Sequence, residues 1–415
     1  MKHDPWRRTP KAVRPLWLVA SILLMCGLGA AWAGFARFRP SAERIRATLY
    51  DDVDHGRLDR CEHSLAWLAK HDRLKSQDLL ARARMCHAQG RLDEALGSLK
   101  AIQDGDGLAA PARLQAARIE LSEYRIRDAE ASLIAGLARD PRLASARLEL
   151  IRLYARQQRL EELDSQFQAL ASQGVLDLTY LSFWGMTRNL HWEPESDVEA
   201  LRRAVEADPE DRASRLALAE GLRRLGRGAE AAPLLVPLPA DDADARAIRA
   251  ALALDRSDLD EASALIAEGP EMHAETARLR GLLALSRHDH ATAAAHFRTA
   301  LAIKPDDRRT LSSLGTALKL TGQDAEAARY FAEVRRFDLL SALTARLTET
   351  AALSDANLLR CLGTANEEVG RLIEAREWYR LAIAQNPLDS ESQRALFRLE
   401  ARAPRAGPGG TGQEP

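Results

Sequence analysis

Residues 274–307 (AETARLRGLLALSRHDHATAAAHFRTALAIKPDD) and 308–339 (RRTLSSLGTALKLTGQDAEAARYFAEVRRFDL) are two consecutive copies of one pattern. A small residue, an alanine and an aromatic residue recur in the two copies at a spacing of about 34 residues. The recurring pairs are Gly281 and Gly315, Ala293 and Ala327, and Phe297 and Phe331. A third copy places Gly363, Ala375, Tyr379 and Pro387 in the same order. Internal repeats of this length indicate stacked supersecondary units.

This pattern resembles the tetratricopeptide repeat (TPR), which implies an all-α, right-handed superhelical solenoid of antiparallel helix pairs. The small residues of both helices are expected to be buried where the two helices of a unit approach each other. We expect Phe297, Phe331 and Tyr379 to fill the space toward the next unit. Pro305 and Pro387 are expected to end the second helix of their units, because proline cannot continue a helix.

The register extends toward the N-terminus through weaker copies, which gives about ten repeats within residues 42–402. The second-helix small position falls at Cys61, Ala95, Ala129, Leu163, Asp197, Ala231 and, after two shorter intervals, Ala262 and Ala293. The first-helix position falls at Ala83, Ala117, Ile151, Gly185 and Ala219. Ile151, Leu163 and Asp197 depart from the pattern, so we expect their units to pack loosely or to bend the solenoid.

The C-terminal part of the repeat region has two irregularities. Residues 339–353 exceed the period and are apolar at helical spacing, which predicts an extra helix before the last repeat. Ser354 or Asp355 is expected to cap the helix that follows. Residues 389–402 predict a capping helix over the end of the stack. Residues 403–415 are rich in glycine and proline, which is typical of a disordered tail.

The N-terminus predicts membrane attachment. Residues 1–14 carry five Lys/Arg and one Asp, and residues 15–36 form a continuous run without a charge. A helix of that length crosses about 30 Å of hydrocarbon. We therefore expect a basic cytoplasmic tail, a single transmembrane helix or signal anchor, and repeats outside the cytoplasm. The alternative is a signal peptide cleaved after Ala31-Trp32-Ala33, which would release a soluble secreted protein.

No motif of catalysis or cofactor binding stands out, so we expect a non-enzyme without cofactor or metal. The phosphate-binding loop, the nucleophile elbow, HExxH and the dinucleotide fingerprint are absent from the sequence. His288, His290 and His296 fall at a turn and on the helix after it, which favours a solvated loop over a metal site. The four cysteines form no CxxC pair, and Cys61 is expected to be a small buried residue. A net charge of −1 gives no general attraction for nucleic acid.

The resemblance implies a groove, lined by the first helices, that holds a peptide or protein. The position after the first-helix small residue carries an arginine in three successive repeats, and a leucine lies four residues before each arginine. The candidate groove residues are Arg84, Arg118, Arg152, Leu80, Leu114 and Leu148. Arginine holds carboxylates bidentately, so an acidic, partly apolar segment is the favoured ligand. The alternative is that these arginines form a solvated helix face.

A second candidate is the aromatic group of Tyr180, Phe183, Trp184 and Trp192. Core packing explains Trp184, which takes a signature position beside Gly185, whereas Trp192 falls at a turn.

These observations together predict a membrane-anchored TPR scaffold that mediates protein–protein contacts and has no catalysis of its own. The alternative from another class is a regulatory or targeting subunit of an envelope enzyme or assembly complex.

Overall fold

A computed structural model describes residues 41–190, 195–349 and 354–402 of the chain. In these ranges all regular structure is helical, and no strand occurs. The helices are α1 (Ala42–Asp54), α2 (Leu58–His71), α3 (Ser76–Ala88), α4 (Leu92–Lys100), α5 (Ala109–Ser122), α6 (Ile126–Arg139), α7 (Ala144–Arg156), α8 (Leu160–Gln173), α9 (Leu178–Asn189), α10 (Glu195–Ala207), α11 (Arg212–Arg224), α12 (Gly228–Leu235), α13 (Ala243–Asp255), α14 (Leu259–Ala267), α15 (Ala274–Ser286), α16 (His290–Ile303), α17 (Arg308–Leu320), α18 (Asp324–Ala345), α19 (Ala356–Glu368), α20 (Leu372–Gln385) and α21 (Ser390–Arg402). The predicted all-α class is confirmed for these residues.

The chain divides into two compact units at the boundary between Leu108 and Ala109. In the first unit, α1 packs on α2 and α3 packs on α4. A buried ion pair joins the first helices of these two pairs, since Arg46 Nε lies 3.0 Å from Asp78 Oδ2. Tyr50 donates a hydrogen bond of 2.6 Å to the other oxygen of Asp78. Because both oxygens of the buried Asp78 are bonded, the carboxylate is compensated inside this unit.

In the second unit most helix pairs follow the repeat register of the sequence. The pairs are α5–α6, α7–α8, α11–α12, α13–α14, α15–α16, α17–α18 and α19–α20. The small positions of both helices are buried in these pairs, among them Ala129, Ala219, Ala293 and Ala375. The large residues Ile151 and Leu163 are also fully buried, so the loose packing that was one of the two expectations is not found at these positions.

The signature glycines lie against the aromatic ring of their own helix pair. An added Cβ at Gly315 would lie 2.8 Å from the ring of Phe331, and one at Gly363 would lie 2.6 Å from the ring of Tyr379. Gly281 meets the ring of Phe297 in the same way. Phe297 also belongs to one hydrophobic cluster with Leu314 and Leu318 of the next helix pair, as the prediction for the space toward the next repeat requires. The ring needs a partner without a side chain, which explains why glycine and aromatic residue recur together.

A left-handed residue marks the turn between the two helices of each pair. These residues, in chain order, are Gly56, Gly90, Tyr124, Gln158, Gly226, Ser257, His288, Gly322 and Gly370. The left-handed conformation is favourable for glycine and costs other residues energy. The sequence register is thus visible in the backbone itself, including the shortened repeats after residue 226.

The register fails at α9 and α10, which do not form the expected pair. α10 packs along α11, and α9 packs instead against α18 and α20, which lie much further along the chain. An added Cβ at Gly185 would lie 3.6 Å from Trp378 and 3.7 Å from Thr344. Asp197 takes the position at which the second helix of this repeat would bury a small side chain, and its carboxylate instead lies 3.4 Å from Arg156. Trp184, at 1% exposure, belongs to the core that forms at this contact, as the sequence predicts.

The C-terminal irregularities have a different structural basis from the prediction. The extra residues extend α18 to 22 residues, followed by a short 3₁₀ turn at Arg346–Thr348. The prediction of a separate helix at 339–353 was therefore wrong for residues 339–349. Residues 350–353 lie outside the described ranges. Asp355 caps α19 by accepting bonds from the backbone N–H groups of Asn357 and Leu358. α21 packs on α20 where the capping helix was expected.

Within the described ranges, no helix has the length and apolar character that spanning a bilayer requires. The run at 15–36, on which the transmembrane prediction rests, lies outside these ranges, as do the basic tail, the C-terminal tail and Trp192.

Candidate partner-binding surface

The three arginines of the predicted groove are exposed, and each lies beside a carboxylate. In the first unit, Arg84 Nη1 lies 3.6 Å from Asp54 Oδ1. In the second unit, Arg118 Nε lies 3.1 Å from Glu149 Oε1, and Arg152 Nη1 lies 3.2 Å from Glu149 Oε2. Arg118 and Arg152 therefore converge on one carboxylate between them. The role of these arginines in binding stays a prediction.

The leucines of the predicted groove contribute more to packing than to an open surface. Leu114 is 9% exposed and belongs to the main hydrophobic cluster of the second unit, and the half-buried Leu148 packs against that cluster. Leu80 is half-buried in α3. A partner could contact at most the edges of these three side chains.

Part of the predicted groove in the second unit receives α10 of the same chain. Arg156 Nε lies 3.4 Å from Oδ1 of Asp197 in α10. The amide of Gln157 donates a 2.9 Å bond to the hydroxyl of Ser214 in the following helix, α11. A small cavity of about 220 Å³ remains between α7 and α10, with Arg152 and Glu149 in its lining. The failure of the α9–α10 pair thus places an internal helix against the arginine-bearing α7.

A larger open cleft lies beside this contact, between α7, α9 and α10. Its volume is about 690 Å³. Phe183 and Met186 of α9, together with Leu190 just after it, supply an apolar wall, while Arg152 and Arg156 stand on the α7 side. This cleft, called here the α7/α9 cleft, joins apolar surface to two guanidinium groups. Arg152 lies beside Glu149, and Arg156 lies beside Asp197, which also lines the cleft.

A third cleft, of about 340 Å³, lies where α8, α9, the α16–α17 loop, α18 and the start of α20 meet. Two arginines, Arg188 and Arg371, reach into it with side chains that are 14% and 10% exposed. Both approach Asp306 of the loop, at 3.3 Å and 3.6 Å. We refer to this site as the two-arginine cleft.

Burial shapes the electrostatics beneath the two-arginine cleft. Glu374 is 1% exposed, and burial raises the pKa of its carboxyl above the ordinary value against the opposing effect of Arg371 and Arg188. Burial, followed by the repulsion of Arg188, lowers the pKa of Arg371. Trp378 donates its indole N–H to Glu374 at 3.3 Å. The two guanidinium groups are therefore close together in a poorly solvated place, where each destabilises the charge of the other.

Sequence reasoning missed both clefts. The two-arginine cleft is lined by distant parts of the chain, and the α7/α9 cleft depends on the position of α9, which packs against α18 and α20. A partial signal existed in the aromatic group at 180–184, of which Phe183 lines the α7/α9 cleft while Trp184 stacks on Phe167 at 5.0 Å. No local pattern connects Arg188 with Arg371, which are far apart in sequence.

The histidines flagged in the sequence do not form a metal-binding group with one another. The rings of His288 and His290 lie edge to face with centroids 6.2 Å apart. Burial and the neighbouring Arg280 lower the pKa of His296. Across the described part of the chain, no group of three or more His, Cys, Asp or Glu side chains is arranged to hold a metal ion.

No protein-family model matches the chain, and no curated protein matches it in sequence. Among solved structures, the human IFIT1 dimer with PPP-AAAA is 16% identical, covers 88% of this chain and 87% of its own, and superposes with a TM-score of 0.35. A tetratricopeptide repeat protein from Parabacteroides merdae is 17% identical, covers 59% of this chain and 98% of its own, and has a TM-score of 0.31. MamA is 22% identical over 34% of this chain and 86% of its own, with a TM-score of 0.28. These TM-scores are low, and the repeat architecture follows from the helix pairs described above.

Proposed function

We propose that this protein is a non-catalytic scaffold that binds a segment of a partner protein in the α7/α9 cleft. The observation that carries the proposal is the combination of Phe183, Met186 and Leu190 with Arg152 and Arg156 in one open cleft of about 690 Å³. Such a cleft favours a chain that alternates acidic and apolar side chains. Helical repeat architectures present extended binding surfaces of this kind.

Binding of two peptides of equal length tests the proposal. A fluorescent peptide rich in Glu and Leu is expected to bind the full chain with an affinity that falls as salt rises, because the guanidinium contacts are screened. A matched peptide rich in Lys and Leu is expected not to bind. Equal binding of the two peptides would show that the cleft does not select acidic segments.

The methionines of the chain offer a matched pair of variants for the same assay. Met186→Glu places a carboxylate in the apolar wall and is expected to weaken binding of the acidic peptide at least about tenfold, as charge repulsion and lost apolar contact add. Met272→Glu introduces the same change at a residue that is 80% exposed and outside the cleft, so its affinity should match that of the wild type. If Met186→Glu binds the acidic peptide as the wild type does, the partner binds elsewhere.

We propose in addition that residues 15–36 anchor the protein, with the repeats outside the cytoplasm. The uncharged run and the basic segment before it support this proposal. The full chain should remain with membranes after salt and carbonate washes, whereas a chain that begins at Ser41 should not. A mature N-terminus at Gly34 would replace the anchor by a cleaved signal peptide.

A further inference from the structure

Five basic side chains and four carboxylates line the two-arginine cleft. Three carboxylates approach its arginines, namely Asp164, Asp306 and Glu374. Asp164 is engaged by Arg188 at 3.5 Å and by the indole N–H of Trp184 at 2.7 Å. Glu374 Oε2 lies 3.8 Å from Arg188 Nη1. Asp306 lies within ion-pair distance of both Arg188 and Arg371.

Asp306 is held loosely in that position. Its side chain is 39% exposed, and its distances of 3.3 Å and 3.6 Å to the two guanidinium groups are long for ion pairs. It belongs to the short loop between α16 and α17. By contrast, the Nε atom of Arg371 is buried and has no hydrogen-bond partner among the described residues.

Two further basic side chains line the cleft without an ion pair among the described residues. Lys304 and Arg309 line the cleft, and the side chains of both lack a hydrogen bond or ion pair to any residue within the described ranges. Burial, followed by the repulsion of the nearby Arg278, lowers the pKa of Arg309. An anion entering the cleft would pass these two side chains before reaching Arg188 and Arg371.

We propose that the two-arginine cleft binds an oxyanion, a carboxylate or a phosphate, between Arg188 and Arg371, in the place that Asp306 takes in this structure. Asp306 then acts as an internal competitor for the site. The planar guanidinium groups suit either anion, since both present two oxygens to one fork. The site is separate from the α7/α9 cleft and the proposal does not depend on partner binding there.

Calorimetric titration of the full chain with sodium phosphate and with sodium acetate tests this inference, at an ionic strength held constant with chloride. Asp306→Asn removes the competing charge and is expected to bind the anion about tenfold more tightly than the wild type, a gain of about 1.4 kcal/mol. Asp260→Asn is the matched control, because Asp260 is exposed on α14 outside the cleft and should leave the affinity unchanged. Tighter binding of acetate would assign the site to a carboxylate, and tighter binding of phosphate to a phosphate group.

A second variant tests the route into the cleft without changing Arg188 or Arg371. In the Asp306→Asn background, Arg309→Gln is expected to weaken anion binding severalfold while the melting temperature without anion stays the same. The inference is overturned if Asp306→Asn binds both anions no more tightly than the wild type and Asp260→Asn. A variant that only loses stability, with no gain in anion affinity, leads to the same conclusion, since Asp306 would then be a structural bridge.

Discussion

The contact between Gly363 and Tyr379 shows how single residues set the geometry of a helix pair. The ring of Tyr379 rests on the glycine, and its hydroxyl is held by Glu367 at 3.0 Å and Thr364 at 3.2 Å. The ring therefore has little freedom to move aside. A glycine at this position is required by the neighbour, since the backbone at Gly363 is helical.

Gly363→Ala is expected to lower the free energy of unfolding by about 1–3 kcal/mol, because the new methyl group would overlap the ring. Gly97→Ala provides the control, since an added Cβ at this exposed helical position meets nothing within 4 Å. It should stabilise by about 0.5–1 kcal/mol through helix propensity alone. Urea unfolding measures both. A similar small gain in the two variants would contradict the packing role assigned to Gly363.

Asp244 predicts a pH dependence in the acid range. A hydrogen bond from His273, followed by one from Arg212, lowers the pKa of Asp244 from 3.8 to about 2. Because the folded pKa is depressed, this stabilisation is complete above pH 3.8 and is lost as the pH falls toward 2.

Asp244→Asn should therefore be less stable than the wild type above pH 4, with a difference that shrinks to nothing near pH 2, as follows from proton linkage with roughly these pKa limits. Melting temperatures of both proteins across this range measure the difference. A constant difference down to pH 2 would mean that the carboxylate charge does not contribute.

At the scale of helices, the sequence predicts which neighbouring helices form pairs. It does not predict contacts between helices that are far apart along the chain. The repeat spacing locates most pairs and their buried small residues, because these contacts are local. The partners of α9 are not predictable from the repeat pattern. α18 and α20 belong to other repeats, and no repeat signature specifies a contact between them and α9. Asp197 was a visible sign that the α9–α10 unit is irregular. The repeat register places the arginines of the candidate groove on their helices, because that placement is local. It does not predict the two clefts, because their shape depends on the distant partners of α9.

The contact between α9 and α18 can be measured by a double-mutant cycle. The side-chain amide of Asn189 donates a 3.1 Å bond to the hydroxyl of the buried Thr344. Asn189→Ala and Thr344→Val are expected to show a coupling free energy of about 0.5–3 kcal/mol in unfolding experiments. Asn189→Ala with Thr316→Val on α17 serves as the control and should be additive. Additivity in both cycles would mean that α9 and α18 do not touch in solution.

At the scale of the second unit, the last helix pair packs on the middle of the chain. Leu163 and Phe167 of α8, Trp184 of α9 and Leu340 of α18 belong to one hydrophobic cluster with Trp378 of α20. This cluster joins segments that a simple linear stack keeps apart. It is linked to the two-arginine cleft through Glu374, which accepts a bond from Trp378 and lies 3.8 Å from Arg188. Binding at that cleft is therefore expected to depend on the integrity of the C-terminal pair.

Hydrogen exchange of Trp378→Ala tests this arrangement most directly. Trp378 is fully buried and touches α9 at Gly185, so its truncation should cost about 3–5 kcal/mol of local stability. We expect amide protection to fall in α9, residues 178–189, as well as in α19–α21, while α13 and α14 keep their protection. If protection were lost only in residues 356–402 and α9 were unchanged, the last helix pair would not pack on α9 in solution.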